Sequence, residues 1–156
     1  MKCYIGIDPG KAGGVAVIAD NGIDCIFPIP LAGKDIDAAM LAAKIYDLSE
    51  VYDCVVCIEK VTAMPGQGVT STFSFGVGFG ILLGICAALV LPVHLVTPQA
   101  WKKVILAGTT KDKAAAISYV SRVYPGVSLL ATARSRKPHD GIADAICIAE
   151  YASRTY

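Results

Sequence analysis

The sequence predicts an α/β domain: a mixed five-stranded sheet, an antiparallel meander plus parallel strands, flanked by helices. Strand-like segments joined by turn residues open the chain, which calls for antiparallel pairing. Strand-like and helical segments then alternate, which calls for right-handed crossovers between parallel strands. Two of the apolar strand-like runs end on an acid, Asp8 and Glu59. At 156 residues the chain is expected to be one domain, 1–156, with a core that needs no disulfide.

The elements follow in order. Lys2–Asp8 alternates and is β-rich, and Gly14–Asp20 is a second strand. Asn21-Gly22 reads as a type I′ hairpin turn, returning the chain as Ile23–Ile29. Asp35–Leu48 spaces Ile36, Met40 and Ala43 as one helix face behind an acidic first turn. Cys54–Glu59 is apolar up to its final acid, as a buried parallel strand is. Ser71–Val90 is a long apolar helix, expected to serve as an interior element, and Val93–Val96 a short strand. Pro98–Leu106, Lys111–Tyr124 and Pro138–Tyr151 complete the chain as helices, with Pro138 suited to a first turn.

Composition narrows the class. Charged residues make up only 17% of the chain against 54% hydrophobic, so an apolar surface or a partner-covered face is expected. Net charge is +1, but its distribution is uneven. Residues 1–96 hold 5 Lys/Arg and 9 Asp/Glu, a balance of −4, whereas residues 97–156 hold 9 and 4, a balance of +5. Lys102, Lys103, Lys111, Lys113, Arg134, Arg136 and Lys137 cluster in that second part, as on a basic DNA-binding face or on ordinary solvated surface. The six cysteines are expected to be reduced core residues of a cytoplasmic protein. Cys54 and Cys57 sit at i and i+3 of a strand, facing opposite sides and unable to share a metal. The start MKCYIGIDPG lacks the pattern of a signal peptide. Phe73–Leu91 approaches spanning length, but the α/β pattern around it favours a soluble protein with no membrane partner.

Four carboxylates carry the chemistry. With the first and fourth strands adjacent and parallel, Asp8 and Glu59 would emerge side by side at the carboxyl edge, where open α/β sheets bind ligands. Asp140 and Asp144 share one face of the last helix, about 40° apart, whereas His139 lies about 140° from Asp144. Like charges brought together call for a cation, and all-oxygen ligands favour Mg²⁺, with Mn²⁺ as substitute. Two such ions would suit phosphodiester hydrolysis. Singly, each acid has a plainer role as turn residue, helix-start decoration or ion-pair partner.

Those segments are similar to a known family. GIDPGKAGG (6–14), CIEKV (57–61) and RKPHDGIADAICIAEY (136–151) resemble the first strand, second acidic strand and last helix of RuvC-type Holliday junction resolvases. AMPGQGVTSTFSFG (63–76) and LVTPQAWKK (95–103) resemble their phage-encoded and organellar variants. The resemblance implies a ribonuclease-H-like fold and a homodimeric Mg²⁺-dependent endodeoxyribonuclease that nicks four-way DNA junctions symmetrically. It places Asp8, Glu59, Asp140 and Asp144 as catalytic, metal-binding acids, and basic residues matching Lys102 and Lys113 near the site. Where the commonest pattern has an acid or histidine three residues before the last Asp, this chain has Gly141. Asp140 is the preferred ligand, and His139 is kept as an outer-shell or proton-transfer candidate. Thr62 stands where a stacking aromatic often does, which leaves Met64 or Phe73 to wedge the junction centre. A ribonuclease of the YqgF kind and a non-catalytic junction-binding protein are the alternatives.

Two further expectations concern surfaces. Lys111 and Lys113 in a helix's first turn oppose the helix dipole unless phosphate binds there. Gly76, Gly80, Gly84 and Ala88 recur every four residues along the apolar helix, flanked by Ile81, Leu82, Ile85 and Leu89. Such a stripe serves close approach, either of a second subunit or of the chain's own sheet.

Overall fold

The computed structural model of the chain describes residues 1–60, 62–63, 65–112 and 114–156. Its main sheet has five strands in the order β3-β2-β1-β6-β7: β1 (Lys2–Asp8), β2 (Gly14–Ala19), β3 (Gly22–Pro28), β6 (Asp53–Glu59) and β7 (Val93–Val96). A two-stranded ribbon, β4 (Leu31–Ala32) with β5 (Asp35–Ile36), lies apart from it. β1, β2 and β3 pair antiparallel, while β6 runs parallel to both β1 and β7. The helices are α1 (Ala38–Val51), α2 (Val69–Ala88), α3 (Pro98–Ile105), α4 (Ala115–Val123) and α5 (Asp140–Thr155).

Each face of the sheet buries its own core. Cys3, Ile5, Ile7, Val56 and Ile58 pack with Leu41 and Ile45 of α1 and Leu82 and Cys86 of α2. Ala16 and Cys57 point the other way, among residues of α3, α4 and α5. Cys54 and Cys57 therefore lie on opposite faces, as strand alternation requires. All six cysteines are free thiols, five of them buried and Cys25 half-buried. Among the described residues, Glu150 is the one buried charged side chain.

Several elements differ from expectation for local reasons. The Gly22 φ is 104°, but neither Asp20 nor Asn21 of the two-residue connection has a positive φ. The hairpin is therefore not type I′, and an irregularity at Val17/Ile18 absorbs the offset. Asp35 and Ile36 belong to β5 rather than a helix, and α1 starts after Asp37, whose side chain accepts from the Met40 N–H. α4 starts at Ala115, so Lys111 lies outside its first turn, in a left-handed backbone conformation with φ 56°. α2 is not an interior element. Only Gly78, Leu82 and Cys86 are buried, and the face bearing Gly76, Gly80 and Gly84 has nothing within 4 Å of where a Cβ would stand. The stripe thus faces away from the chain's own sheet. α2 is long and apolar enough to cross a membrane by length and composition alone.

Candidate active site

Sheet topology brings the first two acids together. β1 and β6 are parallel neighbours in register to Ile7 and Ile58, so Asp8 and Glu59 follow side by side at their carboxyl ends. α5 brings the other two. It lies so close to β1 that a Cβ on Gly6 would stand 2.2 Å from both the Ala145 carbonyl oxygen and the Ala149 nitrogen. Its first turn is tied to the β1–β2 connection by a Gly13–Gly141 bridge. A Cβ on Gly141 would meet the Ala12 carbonyl oxygen at 2.3 Å. Asp140 and Asp144 are thereby delivered to the end of β1, and with Asp8 they line a cleft of about 320 Å³ that also includes Lys11 and Phe75.

The electrostatics show the crowding. Burial, then the carboxylates of Asp144, Glu59 and Asp140, push Asp8 up to about 8, with the Lys102 ammonium acting against them. Burial raises Asp144 to about 6; Lys102 lowers it, while Glu59 and Asp140 raise it. Glu59, Asp140 and the Lys102 ammonium therefore act on both Asp8 and Asp144 at this edge. Among the described residues, no group of three or more His, Cys, Asp or Glu side chains is disposed to hold a metal ion as it stands. The donor set is nevertheless all oxygen, the chemistry that suits Mg²⁺ or Mn²⁺.

His139 stands at the start of the last helix, one residue before Asp140. It is the N-cap of α5, and its Nδ1 accepts from the Ile142 N–H at 3.1 Å. The charges acting on Asp8 and Asp144 include Asp140. Of the basic candidates, Lys102 joins the acids, whereas Lys103, Lys111, Arg134, Arg136 and Lys137 are exposed on the surface. Phe73 is 74% exposed near the start of α2, and Thr62 is exposed. Met64 and Lys113 lie outside the described residues.

Sequence reasoning passed over three neighbours. Lys11 pairs with Asp35 at 3.0 Å on the cleft rim; its place beside the Asp8 turn was a usable signal. Phe75 packs against Gly10, whose φ of 133° and missing Cβ make room for the ring. Trp101 is fully buried in α3 and donates its indole N–H to Glu59 Oε2 at 2.6 Å.

Comparison with solved structures identifies the architecture. Thermus thermophilus RuvC in complex with a Holliday junction substrate superimposes with a TM-score of 0.70 at 18% identity, covering 99% of this chain and 96% of that one. The fold is the ribonuclease-H-like fold of RuvC. A second Thermus thermophilus RuvC structure matches at TM-score 0.67 and 16% identity, over 97% of this chain and 95% of that one. The yeast mitochondrial Holliday junction resolvase matches at 0.57 and 18%, over 94% of this chain and 75% of that one. No family model and no curated protein matches the sequence. In this RuvC-like fold the four acids occupy the carboxyl edge of the sheet, beside the switch between its antiparallel and parallel halves.

Proposed function

We propose that the chain is a divalent-metal-dependent endonuclease of the RuvC kind that nicks four-way or otherwise branched DNA as a homodimer. One observation carries the proposal: Asp8 lies under burial and three other carboxylates, with Lys102 the cation among its named influences. Like charges gathered this closely are costly, and a cation joining them in the working state would offset that cost. Asp8, Glu59, Asp140 and Asp144 would hold Mg²⁺, or Mn²⁺ in its place. Bound there, two such ions would supply a water nucleophile and stabilise the leaving oxygen in phosphodiester hydrolysis. The chain's own contribution is to present four carboxylates from three rigid elements and to keep Lys102 beside them. The exposed cations Lys103, Lys111, Arg134, Arg136 and Lys137 would take phosphates of the junction arms; Lys113 belongs to the same expectation.

Dimerisation fits the outer face of α2. Val69, Phe73 and Val77 are exposed there beside the open glycine stripe, and the helix carries no charged residue. A second copy would bury this face, and a two-fold dimer would set two sites against the two strands of a symmetric junction.

The test is incubation of the protein with labelled four-way junction, linear duplex and RNA–DNA hybrid, with and without Mg²⁺. Paired nicks in the junction that need Mg²⁺ support the proposal. Preferential cutting of the hybrid favours a ribonuclease, and tight junction binding without cutting at any metal concentration favours a non-catalytic binder.

A further inference from the structure

We infer that Trp101 is a positioning residue for Glu59: its indole N–H holds one carboxylate oxygen and leaves the other to face the reaction centre. The inference rests on the nuclease function proposed above and concerns a residue outside the acidic set.

The geometry is specific. The Trp101 Nε1–H donates to Glu59 Oε2 at 2.6 Å, the short end of hydrogen bonds to an ionised acceptor. Among the described residues it is the hydrogen bond made by the Glu59 side chain. Glu59 is the last residue of β6, its backbone is held opposite Val96 of β7, and this bond fixes one oxygen of its carboxylate.

The donor itself is firmly held. Trp101 is fully buried among Ile105, Val120, Ile146 and their neighbours. Its helix begins two residues after Val96, the register partner of Glu59. Thr97 caps that helix by accepting from the Ala100 N–H, and the Lys60 N–H donates to the Val96 carbonyl at 2.7 Å. Donor and acceptor are thus tied to the same strand pair.

The next residue extends the arrangement. The Lys102 Nζ lies 5.2 Å from the Trp101 ring centroid, and its charge acts on both Asp8 and Asp144. One helical turn therefore supplies a neutral donor to Glu59 and a cation to the other acids. The plainer account is that a buried indole needs some acceptor and takes the nearest carboxylate. On that account, loss of the N–H costs stability but leaves metal binding unchanged.

Trp101→Phe separates the two: it keeps an aromatic ring in the site while removing the donor, and the ring volume lost with it costs stability on either account. By the magnitude typical of groups that orient metal ligands, Mn²⁺ affinity of the DNA-free protein should fall about 10- to 100-fold by calorimetry. The metal concentration for half-maximal cleavage should rise in parallel, with near-normal cutting at saturating Mn²⁺. Junction binding in Ca²⁺ should stay within about twofold of the unaltered protein. Unchanged Mn²⁺ affinity in a folded Trp101→Phe protein overturns the inference.

A second measurement needs no variant. Trp101 is the single tryptophan of the chain, so the unaltered protein has one indole N–H resonance. That resonance should move as Mg²⁺ is added, and a resonance that stays fixed while Mg²⁺ binds overturns the inference even if the variant fails to fold. Failure of the nuclease proposal looks different: the unaltered protein itself then cuts no nucleic acid at any metal concentration.

Discussion

Two groups of carboxylates meet α5, and the fold treats them in opposite ways. Glu150 is 7% exposed, yet the Tyr119 hydroxyl donates to its Oε1 at 2.8 Å and the Arg154 guanidinium, one turn along the helix, pairs with the same oxygen. Asp8, at the other end of the helix, is pressed by Asp144, Glu59 and Asp140, with Lys102 acting against them. At Glu150 the same packing supplies a hydroxyl and a guanidinium to one carboxylate oxygen. At half-buried Asp8 the neighbours are other carboxylates, an arrangement that costs the fold stability and points to chemistry. One helix serves both because its first turn is tied to the β1–β2 connection, while Glu150, farther along, meets Tyr119 of α4.

The comparison breaks most readily at the acids. Asp8→Asn, Glu59→Gln, Asp140→Asn and Asp144→Asn should each lower cleavage by more than the roughly 100-fold upper range for outer-shell groups, with junction binding retained or tightened in gel-shift titrations. Glu150→Gln should leave cleavage per folded molecule near normal. Full activity in any of the four acid variants removes that residue from the site.

Dimer formation comes next in size. Gly80→Leu should fold, because nothing stands within 4 Å of its Cβ position, yet sediment as monomer and lose paired nicking. A variant that stays dimeric at micromolar concentration moves the interface elsewhere.

Stability should respond with opposite signs at the two carboxylate groups. Glu150→Ala strands the Tyr119 hydroxyl and Arg154 and should cost about 1–3 kcal/mol, at roughly 2–4 °C of melting temperature per kcal/mol. Asp8→Asn should raise the melting temperature of the metal-free protein. The pH dependence follows the same logic. Unfolded Asp8 loses its proton near 3.8, whereas folded Asp8 keeps it to about 8. Between those values the folded state binds more protons, so the stability of the metal-free protein falls as pH rises. Melts from pH 5 to pH 8 should show that decline, flattened in Asp8→Asn, and Mg²⁺ should restore most at pH 8. A flat profile in the unaltered protein contradicts the crowding of Asp8.

The smallest effect belongs to the outlying cations. Lys111→Ala should weaken junction binding for all sequences alike and lower the slope of log affinity against log salt by about 0.9 for one phosphate contact. An unchanged slope assigns Lys111 to ordinary solvated surface.

The sequence by itself determined the sheet and the gathering of acids. Alternation in Lys2–Asp8 and the apolar run to Glu59 are local patterns, and parallel pairing of those strands leaves Asp8 and Glu59 one destination. Helical spacing likewise put Asp140 and Asp144 on one face. Helix starts were less legible, because caps such as Asp37 and His139 depend on a side chain finding a backbone N–H that spacing alone does not specify. Contacts between distant segments were decided only by tertiary structure. Gly141, a departure when read in sequence, is the residue that lets α5 touch the β1–β2 connection, since any Cβ there would strike the Ala12 carbonyl. The outward turn of the α2 stripe likewise had no signature in a helix that is apolar all round. The bond from Trp101 to Glu59 joins residues 42 positions apart, and nothing local to either predicts it. Periodicity records which face of an element is apolar, whereas only packing decides which distant group that face will meet.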